Sequence, residues 1–271
     1  TRAIAAKYLR MLQYIVLPIL GPRFQLSAVF DGPFRSICQT LTIPEILLTM
    51  DFLTHSLLPL PEVRDFQHRL SAPSLPWRDG RLTAGDQAAL VKKNHQLDPT
   101  AELTLSIINR ISTALTTDPL VKSFSLVRKV HSLLVSRSSA GESYGWHVDN
   151  PFSRHGRRDL SFTCFLSDQD TYEGGSLMIQ TGGEETKEFR LPPGQVVLYP
   201  SSMLHCVTPV LSGVRYVCVG WIESYVKASD DRSLLFNIDA GARGLLARHG
   251  RSDELDLIFQ SYTNAVRRLS S

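Results

Sequence analysis

The 271-residue sequence predicts a mainly β domain with flanking α-helices. Three observations predict it. Between Pro119 and Tyr225 hydrophobic residues recur with period two, in short runs separated by Gly, Pro, Asn and Asp clusters, as strands joined by tight turns do. Apolar residues at helical spacing are confined to the segments on either side. No repeat or low-complexity tract interrupts the β region. Many short strands with tight turns are the mark of a sandwich or a jelly-roll barrel.

In chain order, residues 1–49 read as an N-terminal extension: basic Arg2, Lys7 and Arg10 precede an almost wholly apolar run from Met11 to Leu20. That run is shorter than the ~20 residues a membrane span needs. The segment is read either as poorly ordered and upstream of a start at Met50, or as a targeting peptide. Residues 50–118 read as a helical support region. Val63, Phe66 and Leu70 after Pro61 give one apolar helical face. Trp77 to Leu82 reads as a turn with a short extended piece. Asp98-Pro99 offers an N-cap for a helix to about Leu115, with Leu103, Ile107, Ile108 and Ile111 facing the core.

Residues 119–226 read as the β core. Strands are expected near Phe124–Arg137, Tyr144–Val148, Asp159–Leu166, Ser176–Ile179, Lys187–Leu191, Gln195–Tyr199, His205–Val210 and Val214–Trp221. Residues 227–271 read as two closing helices, roughly Arg232–Arg248 and Asp253–Arg268, with Asp230 and Asp231 suited to a helix N-terminus. These helices are compatible with a homodimer.

Composition excludes several function classes. The formal net charge is +3, but residues 1–49 hold five Lys/Arg against two Asp/Glu, leaving 24 of each sign in the remainder. A neutral body has no basic face for nucleic acid or an anionic membrane. Cys38, Cys164, Cys206 and Cys218 lack C-x-x-C spacing and are too few for a disulfide framework. They read as buried thiols in a reducing, cytoplasmic setting.

Chemistry concentrates in Tyr144-Gly145-Trp146-His147-Val148-Asp149. In an extended strand residues i and i+2 share a face, so His147 and Asp149 project together while Val148 turns away. With a second imidazole from His205 they form two His and one carboxylate, the donor set of non-haem Fe(II) oxygenases. Leu211-Ser212-Gly213 is expected to turn a hairpin, with Pro209 opposite Arg215, Val207 opposite Val217 and His205 facing Val219. His205 and Arg215 would then face one space, offset by roughly 13 Å at about 3.3 Å per residue. That separation suits a small dicarboxylate that chelates the metal at one end and meets a guanidinium at the other. The alternative for Arg215 is a structural ion pair with Asp159 or Glu223.

From about Met50 onward the sequence resembles the bacterial PKHD-type Fe(II)/2-oxoglutarate-dependent hydroxylases, relatives of the prolyl hydroxylases. The likeness is carried by Trp77-Arg78-Asp79-Gly80, Tyr144 to Asp149, Arg158-Asp159-Leu160-Ser161, Phe165-Leu166-Ser167-Asp168, Gly174-Gly175 and Leu198 to Val210. The resemblance implies a double-stranded β-helix. It implies His147, Asp149 and His205 as iron ligands and Arg215 as the 2-oxoglutarate residue, with O2 as co-substrate and L-ascorbate as reductant. One departure is Ser138, which stands where the family has a Tyr upstream of the His-x-Asp motif.

The resulting expectation is a dioxygenase that couples decarboxylation of 2-oxoglutarate, giving succinate and CO2, to hydroxylation of an unidentified substrate. Kinship points to a prolyl or iron-uptake-related molecule. The loop Ser153 to Arg158 follows the ligand strand and could meet an acidic substrate or cover the site. Two other classes share parts of this site: a cupin-like metal enzyme that does not use 2-oxoglutarate and so needs no Arg215, and a non-catalytic iron and 2-oxoglutarate sensor that would keep all four residues.

Overall fold

The computed structural model describes residues 51–182 and 185–271. The expectations for residues 1–49, and for Cys38, lie outside the described residues. Two sheets face one another. The larger contains β1 (Leu53–Ser56), β2 (Trp77–Asp79), β4 (His95–Leu97), β5 (Val127–Ser139), β9 (Leu160–Phe165), β10 (Tyr172–Gly174), β13 (Gln195–Pro200) and β15 (Val210–Ser224). Its order is β1-β13-β9-β15-β5-β4-β2, with β10 added on β15. The smaller contains β3 (Lys92–Lys93), β6 (Ser143–His147), β11 (Leu177–Gly182), β12 (Glu185–Phe189) and β14 (His205–Val207), in the order β12-β11-β14-β6-β3. Every described pairing is antiparallel. This is the double-stranded β-helix the sequence led us to expect.

Alternation along the strands sorts side chains into two cores. Val196 and Leu198 of β13, Cys164 of β9 and Cys218 of β15 point outward to the helices, where they join Val63, Phe66, Ile107, Ile111 and Leu115. Val197 and Tyr199, Phe165 and Val217 point inward, toward Leu177 and Ile179 of the smaller sheet. The larger sheet is thus buried on both faces, so its central strands read as nearly continuous apolar runs. The helices that cover it are α1 (Leu60–Leu70), α3 (Glu102–Thr117), α4 (Pro119–Ser125) and α5 (Ser229–His249). A short α2 (Asp86–Leu90) precedes β3, and α6 (Asp253–Leu269) closes the chain against α5. Among the described residues no helix is long and apolar enough to cross a membrane.

Four local expectations are corrected. Asp98 does not cap a helix: its carboxylate accepts from the backbone N–H of Thr100, closing a turn, and α3 begins at Glu102. Phe124 is helical, because Asp118 accepts from the N–H groups of Leu120 and Val121 and starts α4 with Pro119 in its first turn. The short strands β1, β3 and β4 went unseen because runs of two to four residues carry no measurable period, whereas β2 falls in the extended piece expected from Trp77.

The fourth correction concerns the expected hairpin. His205–Val207 pairs with β11 and β6 in the smaller sheet, whereas β15 runs unbroken from Val210 and pairs with β9 and β5 in the larger. The chain changes sheets at Thr208-Pro209, where proline has no N–H to give a ladder. Leu211-Ser212-Gly213 lies inside β15. Gly213 has φ +74°, and a Cβ there would come within 2.1 Å of the Thr171 carbonyl oxygen. The glycine therefore serves close approach of β10, not a turn. The ladder spacing expected between His205 and Arg215 has no basis in this topology.

Candidate metal centre

β6 delivers His147 as its last residue, and Asp149 follows just past the strand end. β14 opens with His205, which is the direct cross-strand partner of His147. Their ring centres are 4.2 Å apart, and His205 Nε2 lies 3.8 Å from Asp149 Oδ2. One donor atom from each of His147, Asp149 and His205 falls within 4.8 Å of the others. Val148 between them is 47% exposed, as an outward residue should be.

The donors are oriented by their own backbone. His147 Nδ1 is 2.8 Å from the Gly145 carbonyl oxygen and His205 Nδ1 is 2.9 Å from that of Met203. A carbonyl only accepts, so Nδ1 carries the proton in both rings and Nε2 keeps its lone pair for a metal. Burial first, and the neighbouring His205 second, push His147 down to about 4, so it is neutral at pH 7. Asp149 is held from the opposite sheet: its Oδ2 accepts from Ser161 Oγ at 2.6 Å and Trp221 Nε1 at 2.9 Å. Ser161 Oγ also bonds Ser201 Oγ, at 2.9 Å.

Arg215 projects into the same pocket from β15. It is 3% exposed, its Nε has no hydrogen-bond partner, and no carboxylate of the described residues pairs with it. Burial lowers its pKa, with the phenols of Tyr172 and Tyr199 opposing. The expected alternative partners are engaged elsewhere: Asp159 with Arg157, and Glu223 with Arg128 and Arg157. Gly175, at φ +61°, makes room for the arginine, since a Cβ there would lie 3.0 Å from Arg215 Cδ. Ser138 is directly opposite Arg215 in the ladder and lines the pocket.

Two tyrosines flank the histidines. The Tyr144 ring stacks on His147 with centres 3.7 Å apart, and Tyr199 meets His205 edge-on at 5.2 Å. Burial raises both phenols above their ordinary value, so each stays neutral. The Ser153 to Arg158 loop is a small hairpin of β7 (Phe152–Ser153) and β8 (Gly156–Arg157). Arg157 is tied to the Ser224 carbonyl, and Arg158 turns into the pocket. Ser161, Trp221 and Lys92 belong to the same pocket and were not singled out as site residues from the sequence. Trp221 shares the inward parity of Arg215 and Val217, the one local signal that could have found it.

Two imidazoles with free Nε2 lone pairs and one carboxylate fit a redox-active divalent iron, and a buried guanidinium with no carboxylate partner among the described residues fits the far end of a dicarboxylate. Such a site between the sheets of a jelly roll defines a non-haem iron oxygenase. Residues 133–223 match the sequence model of the 2OG-Fe(II) oxygenase superfamily. The chain is 90% identical over 222 residues to a PKHD-type hydroxylase of Synechococcus sp. strain CC9605, covering 82% of this chain and 100% of that one. It is 52% identical over 222 residues to a PKHD-type hydroxylase of Prochlorococcus marinus strain MIT 9313, with the same coverage. The chain belongs to the PKHD-type hydroxylases, and it is a 2-oxoglutarate-dependent dioxygenase that uses Fe(II). A solved prolyl hydroxylase from Trichoplax adhaerens, in complex with a hypoxia inducible factor peptide fragment, shares the fold. Its TM-score is 0.51 at 18% identity, over 70% of this chain and 88% of that one.

Proposed function

We propose that His147, Asp149 and His205 hold the iron, that Arg215 anchors the far carboxylate of 2-oxoglutarate, and that the molecule hydroxylated is a prolyl-containing substrate. The observation that carries the ligand assignment is the pair of Nδ1 to carbonyl bonds, which leave both Nε2 atoms available beside the Asp149 carboxylate. When bound, iron and 2-oxoglutarate supply the oxidising chemistry: O2 is consumed, succinate and CO2 form, and a C–H bond becomes an alcohol.

The chain's own residues bind and orient. Gly145 and Met203 fix the imidazole tautomers through their carbonyls, while Ser161 and Trp221 hold the Asp149 carboxylate in place through Oδ2. Arg215 offers two charge-assisted hydrogen bonds in a dry wall that includes Phe165, whose ring centre is 5.5 Å from the guanidinium carbon. Neutral Tyr199 is a further donor in the same wall. Most of this lining comes from residues 119–226, which we take as the catalytic core. The prolyl reading is supported by the shared fold with the Trichoplax enzyme and by the family's kinship. L-ascorbate is the reductant we infer to keep the iron ferrous between turnovers.

Anaerobic addition of Fe(II), then 2-oxoglutarate, tests the reading. A weak visible metal-to-ligand band should develop in the wild type and should need far more 2-oxoglutarate in Arg215→Ala. Iron binding with no band at any 2-oxoglutarate concentration would overturn it. Succinate release accelerated by a proline-containing peptide, and unaffected by its alanine counterpart, tests the substrate.

A further inference from the structure

Four formally charged side chains line the pocket among the described residues: Lys92, Asp149, Arg158 and Arg215. Fe(II) and doubly charged 2-oxoglutarate cancel one another, so the loaded pocket retains three cations against one carboxylate. Surplus charge of one sign in a poorly solvated cavity is costly until an opposite charge arrives.

Arg215 is taken by the co-substrate, but Lys92 and Arg158 are left without a role. Lys92 is only 6% exposed, and its ammonium contacts are the Thr83 hydroxyl at 3.3 Å and the face of Tyr144, 5.0 Å from the ring centre. Arg158 lies over the indole of Trp221, 3.9 Å from the ring, and its Nε is buried without a hydrogen-bond partner. Neither has an ion-pair partner among the described residues, whereas the neighbouring Arg157 has Asp159 and Glu223. Arg232, buried beneath the same sheet, has the Val226 and Lys227 carbonyls. Arg157 and Arg232 are thus satisfied within the fold, and Arg137, whose Nε is also unpartnered, rests on Trp77 away from the pocket; Lys92 and Arg158 face the pocket without an anion.

Their placement says which part of the pocket they serve. Tyr144 touches both the Lys92 ammonium, 5.0 Å from its ring centre, and the stacked His147 ring, so one aromatic ring links the ammonium to the metal centre. Trp221 underlies Arg158 and bonds Asp149 from its other edge. Both cations thus rest on aromatic groups that touch ligand side chains. They enter from β3 and from the end of the β7–β8 hairpin, not from the β15 wall that carries Arg215.

We propose that Lys92 and Arg158 form an anion-binding subsite for the primary substrate, so that the molecule hydroxylated carries a carboxylate or phosphate near the carbon that reacts. This rests on the iron and 2-oxoglutarate reading of the pocket. The test replaces iron with Mn(II), saturates with 2-oxoglutarate, and measures paramagnetic relaxation of the methyl protons of acetate, methylphosphonate and neutral acetamide. Retention of Mn(II) and its response to 2-oxoglutarate are checked first by electron paramagnetic resonance, and failure there strikes the proposed function rather than the subsite.

With the loaded site intact, acetate or methylphosphonate should relax faster than acetamide, and whichever responds identifies the anion. Loss of one charge-assisted contact should weaken that binding roughly tenfold in Lys92→Met or Arg158→Met. Lys92→Arg should restore it, and the 2-oxoglutarate requirement should stay unchanged in all three. Equal relaxation of the anions and acetamide, or undiminished relaxation in both methionine variants, overturns the proposal.

Discussion

The two ends of the pocket treat their polar groups in opposite ways. At the metal end every donor is held: each imidazole by a backbone carbonyl, and Asp149 by Ser161 and Trp221 from the facing sheet. At the other end Arg215 is almost wholly buried and its Nε bonds nothing. In the proposed reading each end binds an ion, and the two ions differ in what they demand. A metal accepts only a narrow geometry, so its ligands are fixed in advance by outer partners. A carboxylate meets a guanidinium through a planar fork that is rigid by its own chemistry, and any internal partner would compete with the ligand.

The largest test of that contrast is Asp149→Ala. It should abolish turnover and reduce iron affinity by more than the roughly 10–100-fold that loss of an outer partner costs, measured by metal titration and succinate release. Next comes Arg215→Met. From about 1.5–3 kcal/mol for each of its two charged hydrogen bonds, the 2-oxoglutarate requirement should rise roughly 100-fold or more. Thermal stability of the ligand-free protein should stay level or increase, because an unpaired buried cation has been replaced by an apolar chain. A large loss of ligand-free stability in Arg215→Met would break the comparison and make the arginine structural.

Ser161→Ala sharpens the metal end. Removing one of two donors to Asp149 Oδ2 should weaken iron binding by about 10-fold with 2-oxoglutarate affinity nearly unchanged. The smallest effect is expected at His131, whose Nε2 is 2.7 Å from the Arg157 carbonyl oxygen in the hairpin that carries Arg158. Burial, opposed by that hydrogen bond, lowers its pKa from 6.5. The folded state therefore binds the proton less readily than the unfolded chain. The stability this contributes is full above the unfolded pKa and is lost as pH falls through the folded value. Denaturant melts from pH 7 downward should show that decline, at less than about 1.4 kcal/mol per pH unit, and His131→Gln should flatten it.

Much of the fold was legible because it is local. Helix α1 shows in Val63, Phe66 and Leu70, and the central strands of the larger sheet in short apolar runs bounded by turn residues. His147 and Asp149 declare themselves by strand parity, with Val148 turned out between them. Other features were hidden for equally physical reasons. Asp118-Pro119 began a helix inside a stretch read as leading into a strand, because a carboxylate bonding two N–H groups outweighs the β character of the residues that follow. Two-residue strands such as β3 carry no pattern, and with β3 Lys92 was missed.

Fold class, donor types and the inward-facing arginine are readable from the chain alone, since parity and side-chain chemistry depend on neighbours a few positions away. That His205 and Arg215 stand on opposite sheets emerges only on folding. That choice turns on Pro209 breaking one ladder and on Gly213 letting β10 pack against β15. It alone brought Ser161 and Trp221 to Asp149, and Lys92 and Arg158 to one cavity, because these meetings join residues 12 to 72 positions apart, or sit across the barrel, where no local pattern extends.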